Sequence, residues 1–187
     1  MVHILLSPLR RDRIGPKSIR EVVFGVEDGV VQNMTLIAGM VGATLASSVI
    51  VLAASINAIA GVLSMSMGTY LSSQAERDAM LTDESPARTE SLRSPIRDAF
   101  TMAAAYSMGA LVPLLPFVLP FLGRTGALIV AMGLTATALF GLGVLKAVVS
   151  RQSRLRSGLQ LLVLASFAGV AGYLLGVAAQ AVFNIEV

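Results

Sequence analysis

Arg20-Glu21-Val22-Val23-Phe24-Gly25-Val26-Glu27-Asp28-Gly29-Val30-Val31 sets two adjacent carboxylates at the head of 47 residues, Gly29 to Ala75, that hold no Asp, Glu, Lys, Arg or His. One straight helix of that length would reach about 70 Å at 1.5 Å per residue, whereas a bilayer core about 30 Å thick is crossed by about 20 apolar residues. The stretch must fold back on itself. This predicts a hairpin of two membrane helices with the acidic pair on the first.

The chain on either side has the same character. Of its 187 residues 55% are hydrophobic and 13% charged, and the mean hydropathy of +0.78 is too apolar for a soluble domain of this size. Uncharged stretches at Ala99 to Gly123, Thr125 to Leu145 and Ser157 to Ile185 run 25, 21 and 29 residues. Each is long enough to cross a bilayer once and too short to cross twice. An all-α integral membrane protein with five transmembrane helices is expected, at about 22–45, 49–74, 97–120, 125–146 and 157–181. These form a membrane domain over 22–187, after a basic segment at 1–21 and with a charged loop at 75–96.

Lys and Arg are retained on the cytoplasmic side of short loops. With the N-terminus in the cytoplasm, that side receives Arg10, Arg11, Arg13, Lys17 and Arg20, then Arg77, Arg88, Arg93 and Arg97, then Lys146, Arg151, Arg154 and Arg156. The opposite face receives Arg124 alone, so the asymmetry places the C-terminal tail from Asn184 outside or in a lumen. The apolar run Val2 to Leu6 is too short for a signal-peptide core, and no small-residue cleavage site follows, so the N-terminus is expected to be retained. Two forms remain open for this segment: a short amphipathic helix on the membrane surface, or a basic arm without fixed structure.

With no Cys the chain has no disulfide, thiolate metal site or catalytic thiol, and its one imidazole, His3, reads as solvated near a terminus. A metal would meet oxygen or thioether. No nucleophile–base pair of the kind hydrolysis needs is present, so no enzyme is expected, nor any cofactor or nucleic-acid partner. Glu76, Asp78, Asp83, Glu84, Glu90 and Asp98, interleaved with Arg and broken by Pro86 and Pro95, read as a solvated linker that opens with an extension of the second helix; the alternative is a weak cation-collecting surface, since carboxylates so irregularly spaced form no metal site by themselves. Pro113, Pro116 and Pro120 lack amide donors, so the outer half of the third helix is expected to be kinked or unwound. Small residues at four-residue spacing, as at Gly25/Gly29 and Gly172/Gly176, would let helices approach closely in lipid.

Glu27 and Asp28 are the ionisable groups carried into the membrane. Such a group costs at least about 2.5 kcal/mol on insertion scales and usually marks a pathway or a partner. A plain helix cap, favoured by the helix dipole, is the bland alternative. Against it, apolar Val22, Val23, Phe24 and Val26 place the helix start upstream and carry the pair inward. If the hairpin turns at Ala46-Ser47-Ser48, antiparallel partners have residue numbers summing to about 93 or 94, and Asp28 lies level with Met65. A carboxylate beside a thioether joins hard oxygen to soft sulfur, which suits a borderline transition ion better than Mg²⁺ or Ca²⁺. Gly61 and Asn57 share that face of the second helix. Alone, Met65 would be ordinary apolar packing; Asp28 is what singles it out.

The run Arg20 to Gly29, then Ala38-Gly39, Ser64-Met65-Ser66-Met67-Gly68-Thr69-Tyr70-Leu71 and Gly109-Ala110-Leu111-Val112-Pro113-Leu114-Leu115-Pro116, in that order, resembles the vacuolar iron transporter family, which includes the yeast calcium-sensitivity complementing transporter. The resemblance implies a five-helix protomer acting as a homodimer in the lipid bilayer. It implies a divalent-metal pathway lined by the first helices at the dimer interface and driven by proton antiport. Family members move Fe²⁺, and often Mn²⁺ or Co²⁺, out of the cytosol. By motif position the pathway carboxylate falls on Asp28 and the pathway methionine on Met65, the pair that hairpin geometry also selects.

Two departures stand out. Asn57 holds the place of a glutamate in the best-described plant member; it can coordinate through its carbonyl but cannot carry a proton, which leaves proton coupling to Asp28 and Glu27. The segment from Ser72 to Arg97, 26 residues, is too short for the cytosolic metal-collecting bundle of many members. The expectation is therefore an exporter of Fe²⁺ or Mn²⁺ with Asp28, Met65, Glu27 and Asn57 as metal-contacting residues. It would sit in the plasma (inner) membrane of a prokaryote or a vacuole-like membrane of a eukaryote. The alternative is a non-transporting membrane scaffold or interaction protein that keeps the fold. The short loop and Asn57 favour that alternative, and the retention of Asp28 with Met65 opposes it.

Overall fold

The computed structural model describes residues 16–82 and 94–183, whose regular structure is five α-helices. They are α1 (Pro16–Gly42), α2 (Ser47–Thr82), α3 (Pro95–Val118), α4 (Arg124–Ser150) and α5 (Arg154–Phe183). The segment expected as a surface helix or basic arm, with His3, lies outside the described residues up to position 15, as do 83–93 of the charged loop and the tail 184–187. Four helices, α2 to α5, are long and apolar enough to cross a membrane, so this is a helical membrane protein. In α1 the apolar run is diluted by Glu27, Asp28, Gln32 and Asn33. The helices outlast the uncharged stretches, α2 reaching 36 residues, because a helix leaving the bilayer keeps its internal hydrogen bonds and can continue into water.

The polar helix α1 sits at the centre, packed mainly on α3 and α5 and only lightly on α2. Glycines make this possible. A side chain at Gly29 would strike the backbone of Tyr106 and Ala110 on α3, and one at Gly109 would strike Val26 on α1. On the other flank, Gly172 of α5 meets Thr35, and Gly176 meets Gly39. Residue numbers rise together across both contacts, so α1, α3 and α5 run parallel. α2 runs antiparallel to α3, with Gly61 at Tyr106 and Ser73 at Asp98, and Gly143 of α4 meets Ser157 of α5 at their adjoining ends. Thus α3, and not α2, is the closest partner of α1 within the expected hairpin region. The glycines of α2 offer α1 no seat: Gly61 is filled by the Tyr106 ring, and Gly68 has nothing within 4 Å.

The hairpin turn lies at 43–46, earlier than the expected Ala46-Ser47-Ser48, because α1 stops at Gly42 and Thr44 takes a left-handed conformation with φ 61°. Arg124, the one basic residue at that end, donates to the carbonyl of Thr44 and at 3.4 Å to that of Leu45. The Gln180 amide donates to the Thr44 hydroxyl at 2.7 Å. Around this end Ile37, Val41, Ile50, Ala54, Leu114, Phe117 and Ala131 form an apolar cluster. α3 stays helical through Pro113 and Pro116 and stops at Val118, so the expected unwinding is confined to the residues around Pro120. Both inner prolines are buried against neighbouring helices, which hold the segment in place despite the missing donors.

If glycine contacts hold α1 in place, Gly176→Ala should lower the unfolding midpoint in detergent. The added Cβ would press on the Gly39 carbonyl and come within 3.0 Å of the Ala43 nitrogen, an overpacking of about 1–3 kcal/mol. Gly68→Ala, which faces open space, should leave the midpoint unchanged or raise it.

Candidate functional site

Cavities border α1 on two of its sides. One, of about 640 Å³ between α1, α4 and α5, is lined by side chains such as Met34, Met132, Leu162 and Leu174 and holds no carboxylate. The other, of about 600 Å³, lies between α1, α2 and α3. Its walls include Arg20, Glu21 and Phe24 of α1, Ser64, Met65, Ser73 and Glu76 of α2, and Asp98 and Met102 of α3. Three carboxylates and two thioethers make the second cavity the one suited to a cation.

Each buried acid owes its place to its helix. Asp98 is in the first turn of α3, just behind Pro95, where the helix dipole favours negative charge. Its carboxylate accepts a hydrogen bond from the Ser73 hydroxyl at 3.0 Å. Glu21 is 5% exposed and lies two helical turns before Asp28, on the same stripe of α1.

Met65 lines this cavity and is half-buried. Asp28, also half-buried, is not part of the wall; it lies one turn beyond Phe24, about 6 Å deeper at 1.5 Å per residue. The earlier hairpin turn shifts the register as well. The Asn57 amide donates to the Asn33 carbonyl oxygen at 3.1 Å, pairing residue numbers that sum to 90. Asp28 is then level with about residue 62, and Met65 stands about 4.5 Å nearer the cavity. The carboxylate and the thioether therefore follow one another along the crevice.

The acidic pair is divided. Successive residues point about 100° apart around a helix. Lys146 of α4 is close enough for its charge to act on Glu27, whereas the charge of Asp28 acts on the Tyr106 hydroxyl of α3. Glu27 thus feels Lys146 as well as its neighbour Asp28, while Asp28, four residues past Phe24 and seven past Glu21, continues the α1 stripe that lines the crevice.

Past Asp28 the crevice ends in uncharged polar groups. Tyr106 donates through its hydroxyl to Gln32 Oε1. The Asn33 amide, fully buried, donates to the Ala110 carbonyl at 2.8 Å. Asn57, its own amide spent on Asn33, has its carbonyl oxygen to offer a ligand. Reading the sequence for ionisable groups passes over Gln32, Asn33 and Tyr106. The available signal was two adjacent amides inside an apolar run. Glu21 and Asp98 were read as segment ends and Met102 was not singled out, although Glu21 at seven residues before Asp28 is a same-face spacing. Among the described residues no three His, Cys, Asp or Glu side chains stand together so as to hold a metal. A full shell therefore needs thioether and amide ligands or a second chain.

The fold and this crevice define a polytopic helical membrane protein with a carboxylate and thioether cavity opening onto a polar core. Residues 19–90 and 78–177 match the model of the VIT family, and the chain belongs to that family. It is 24% identical over 216 residues to vacuolar iron transporter 1 of Eucalyptus grandis, across 87% of this chain and 86% of that one. It is 32% identical over 152 residues to vacuolar iron transporter homolog 3 of Arabidopsis thaliana, across 78% and 74%. Vacuolar iron transporter 1 of Oryza sativa subsp. japonica is 24% identical over 216 residues, across 87% and 85%.

The amide chain gives an ordered stability series. Asn33→Ala strands the Asn57 amide and should cost about 1–3 kcal/mol. Asn57→Ala leaves Asn33 its bond to Ala110 and should cost less. Midpoints of thermal unfolding in one detergent, measured side by side, check the order.

Proposed function

We propose that this chain is a divalent transition-metal transporter that carries Fe²⁺ or Mn²⁺ out of the cytosol in exchange for protons, with Asp28 and Met65 as its metal contacts. The observation that carries the proposal is the cavity of carboxylates and thioethers leading to Asp28, in a chain whose relatives are named vacuolar iron transporters. α1 is the fifth span. It runs parallel to α3 and α5 and opposite to α2, as successive crossings require. Arg20, Arg77, Arg97, Lys146, Arg154 and Arg156 gather at the cavity end and Arg124 at the other, which supports a cytoplasmic N-terminus.

A cation entering from the cytosol first meets a wall where the carboxylates of Glu21, Glu76 and Asp98 outnumber the guanidinium of Arg20, a balance that favours a cation. It then exchanges water for the Met65 sulfur and, one step deeper, for the Asp28 carboxylate. A proton and a divalent cation compete for that carboxylate, so occupancy by one disfavours the other, and this competition is the coupling. Glu27, with Lys146 at hand, helps hold the local charge near balance. Asn57 offers a neutral carbonyl farther along.

One protomer supplies too few ligands for a complete shell, which supports a homodimer with a shared pathway. α2 has the surface for it: Leu52, Ile56, Ile59, Leu63, Met67 and Leu71 form a stripe, each more than half exposed. Mass measurement in a mild detergent should give a dimer, and a transport-active monomer would overturn the shared pathway.

Asp28→Asn keeps shape and carbonyl but removes the charge and the proton site. In proteoliposomes it should lower metal uptake and the accompanying proton movement together, by at least about tenfold, equivalent to roughly 1.4 kcal/mol. Met65→Leu keeps volume but deletes the sulfur, and should slow transport or change the preference between Fe²⁺ and Mn²⁺ with the fold intact. Wild-type rates in Asp28→Asn with unchanged pH dependence would make the acidic pair a helix cap and end this mechanism.

A further inference from the structure

Tyr106 is fully buried, and its ring edge and hydroxyl fill the space a side chain at Gly61 would need. Gly61 is midway along the face of α2 that carries Met65 four residues after it and Asn57 four residues before it. On α1 the Tyr106 hydroxyl is held by Gln32, one turn past Asp28. From α3, one side chain therefore meets both other walls of the crevice, α2 at Gly61 and α1 about one turn deeper at Gln32, just beyond the two proposed metal contacts. Immediately behind it, Asn57 bonds Asn33, and Asn33 bonds Ala110, one turn after Tyr106 on α3.

We infer that Tyr106 is the barrier of the pathway, the side chain that separates Asp28 and Met65 from Asn57 and must swing aside before an ion passes. An aromatic ring is wide enough to bridge α2 and α1, and Gly61 is the notch that receives it. The hydroxyl has a partner when the ring is seated, so the closed state holds no stranded polar group, and one hydrogen bond is light enough to break in each cycle. α2 is packed on α3 but only lightly joined to α1, so the seam between α1 and α2 is where the crevice can widen. Tyr106 is thus a positioning residue that acts through the space it occupies, not a metal ligand. The inference takes its purpose from the transport reading, but its test does not depend on that reading.

The chain contains no Cys, so single cysteines can be placed without first removing any. Ser64→Cys, on the cavity wall, marks the cavity face; Asn57→Cys marks the far side; Ala131→Cys, fully buried in α4, reports unfolding. Each is exposed in sealed membrane vesicles to a membrane-impermeant thiol reagent, added to one face and then the other. From the face that labels Ser64→Cys, Asn57→Cys should react at least about tenfold more slowly, since an open minor state is populated at roughly 10% or less. Adding Tyr106→Ala should bring the two within about threefold, Tyr106→Phe should restore protection, and Ala131→Cys should stay unreactive. Fast labelling of Asn57→Cys with Tyr106 present overturns the barrier. So does continued protection after Tyr106→Ala. If Ala131→Cys reacts in the Tyr106→Ala background, the milder Tyr106→Leu takes its place and the same two outcomes decide. Wild-type protein that moves neither Fe²⁺ nor Mn²⁺ would end the transport reading alone, leaving the labelling pattern to judge Tyr106.

Discussion

Everything in this fold follows from the need to keep one polar helix out of lipid. α1 carries Glu27, Asp28, Gln32 and Asn33 in a row of two turns, and each would be costly against hydrocarbon. In a bilayer no hydrophobic force drives helices together, so close packing of small residues has to do it. The α1 backbone touches the backbones of α3 and α5 through Gly29, Gly109, Gly172 and Gly176. With α1 clasped on two sides, Asn33 is fully buried and Glu27 and Asp28 are half-buried, while the apolar spans α2, α4 and α5 turn side chains such as Ile59, Ile129 and Leu175 outward.

That clasp decides where space remains. Because α3 occupies the seat beside α1, α2 leans on α3 and stands off from α1. The gap so left is the crevice. At the cavity end it is wide enough for Glu21, Met65, Asp98 and Met102 to surround open volume. At Gly61 it is plugged by Tyr106, and near the hairpin turn it is closed by Ile37, Ile50, Ala54 and Phe117. A gradient from acidic to amide to apolar along one line gives a cation fewer compensating groups the deeper it goes. The acids at the mouth attract it, while the amides and the apolar seal resist its passage.

Much of this was legible in the sequence. The uncharged run after Asp28 dictated a hairpin, each of the later runs became one helix long and apolar enough to cross a membrane, and Gly25/Gly29 and Gly172/Gly176 pointed to close approach. What those patterns lack is a record of neighbours. Spacing shows that Gly29 can accept a backbone, but not that the backbone belongs to α3, since α2 follows α1 directly in the chain. The turn was placed at Ser47-Ser48 because they are polar, whereas Ser47 opens α2 and the chain reverses at Thr44, held by Arg124 and Gln180 from 80 and 136 residues away. Asp98 was read as a loop edge because its burial depends on Ser73, 25 residues earlier in the chain. Gln32 and Asn33 carry no charge to draw notice, yet their partners Tyr106 and Ala110 lie more than 70 residues on.

The amide at position 57 has a reason within this crevice. Asn33 donates from its amide nitrogen to the Ala110 carbonyl, so the atom it turns toward α2 is its carbonyl oxygen. A donor must face it. Asn57 supplies one; a carboxylate there would set acceptor against acceptor in a buried place, unless protonated or unless Asn33 turned over and gave up Ala110. Asn33 and Asn57 are therefore one unit, and neither choice can be understood alone. With position 57 committed to a neutral donor, the carboxylate that α1 sets on the crevice stripe beyond the cavity is Asp28, seven residues past Glu21. In the proposed transport cycle, a cation going deeper than Met65 would have this one carboxylate to meet within its own chain, so metal and proton binding at that depth would converge on one group.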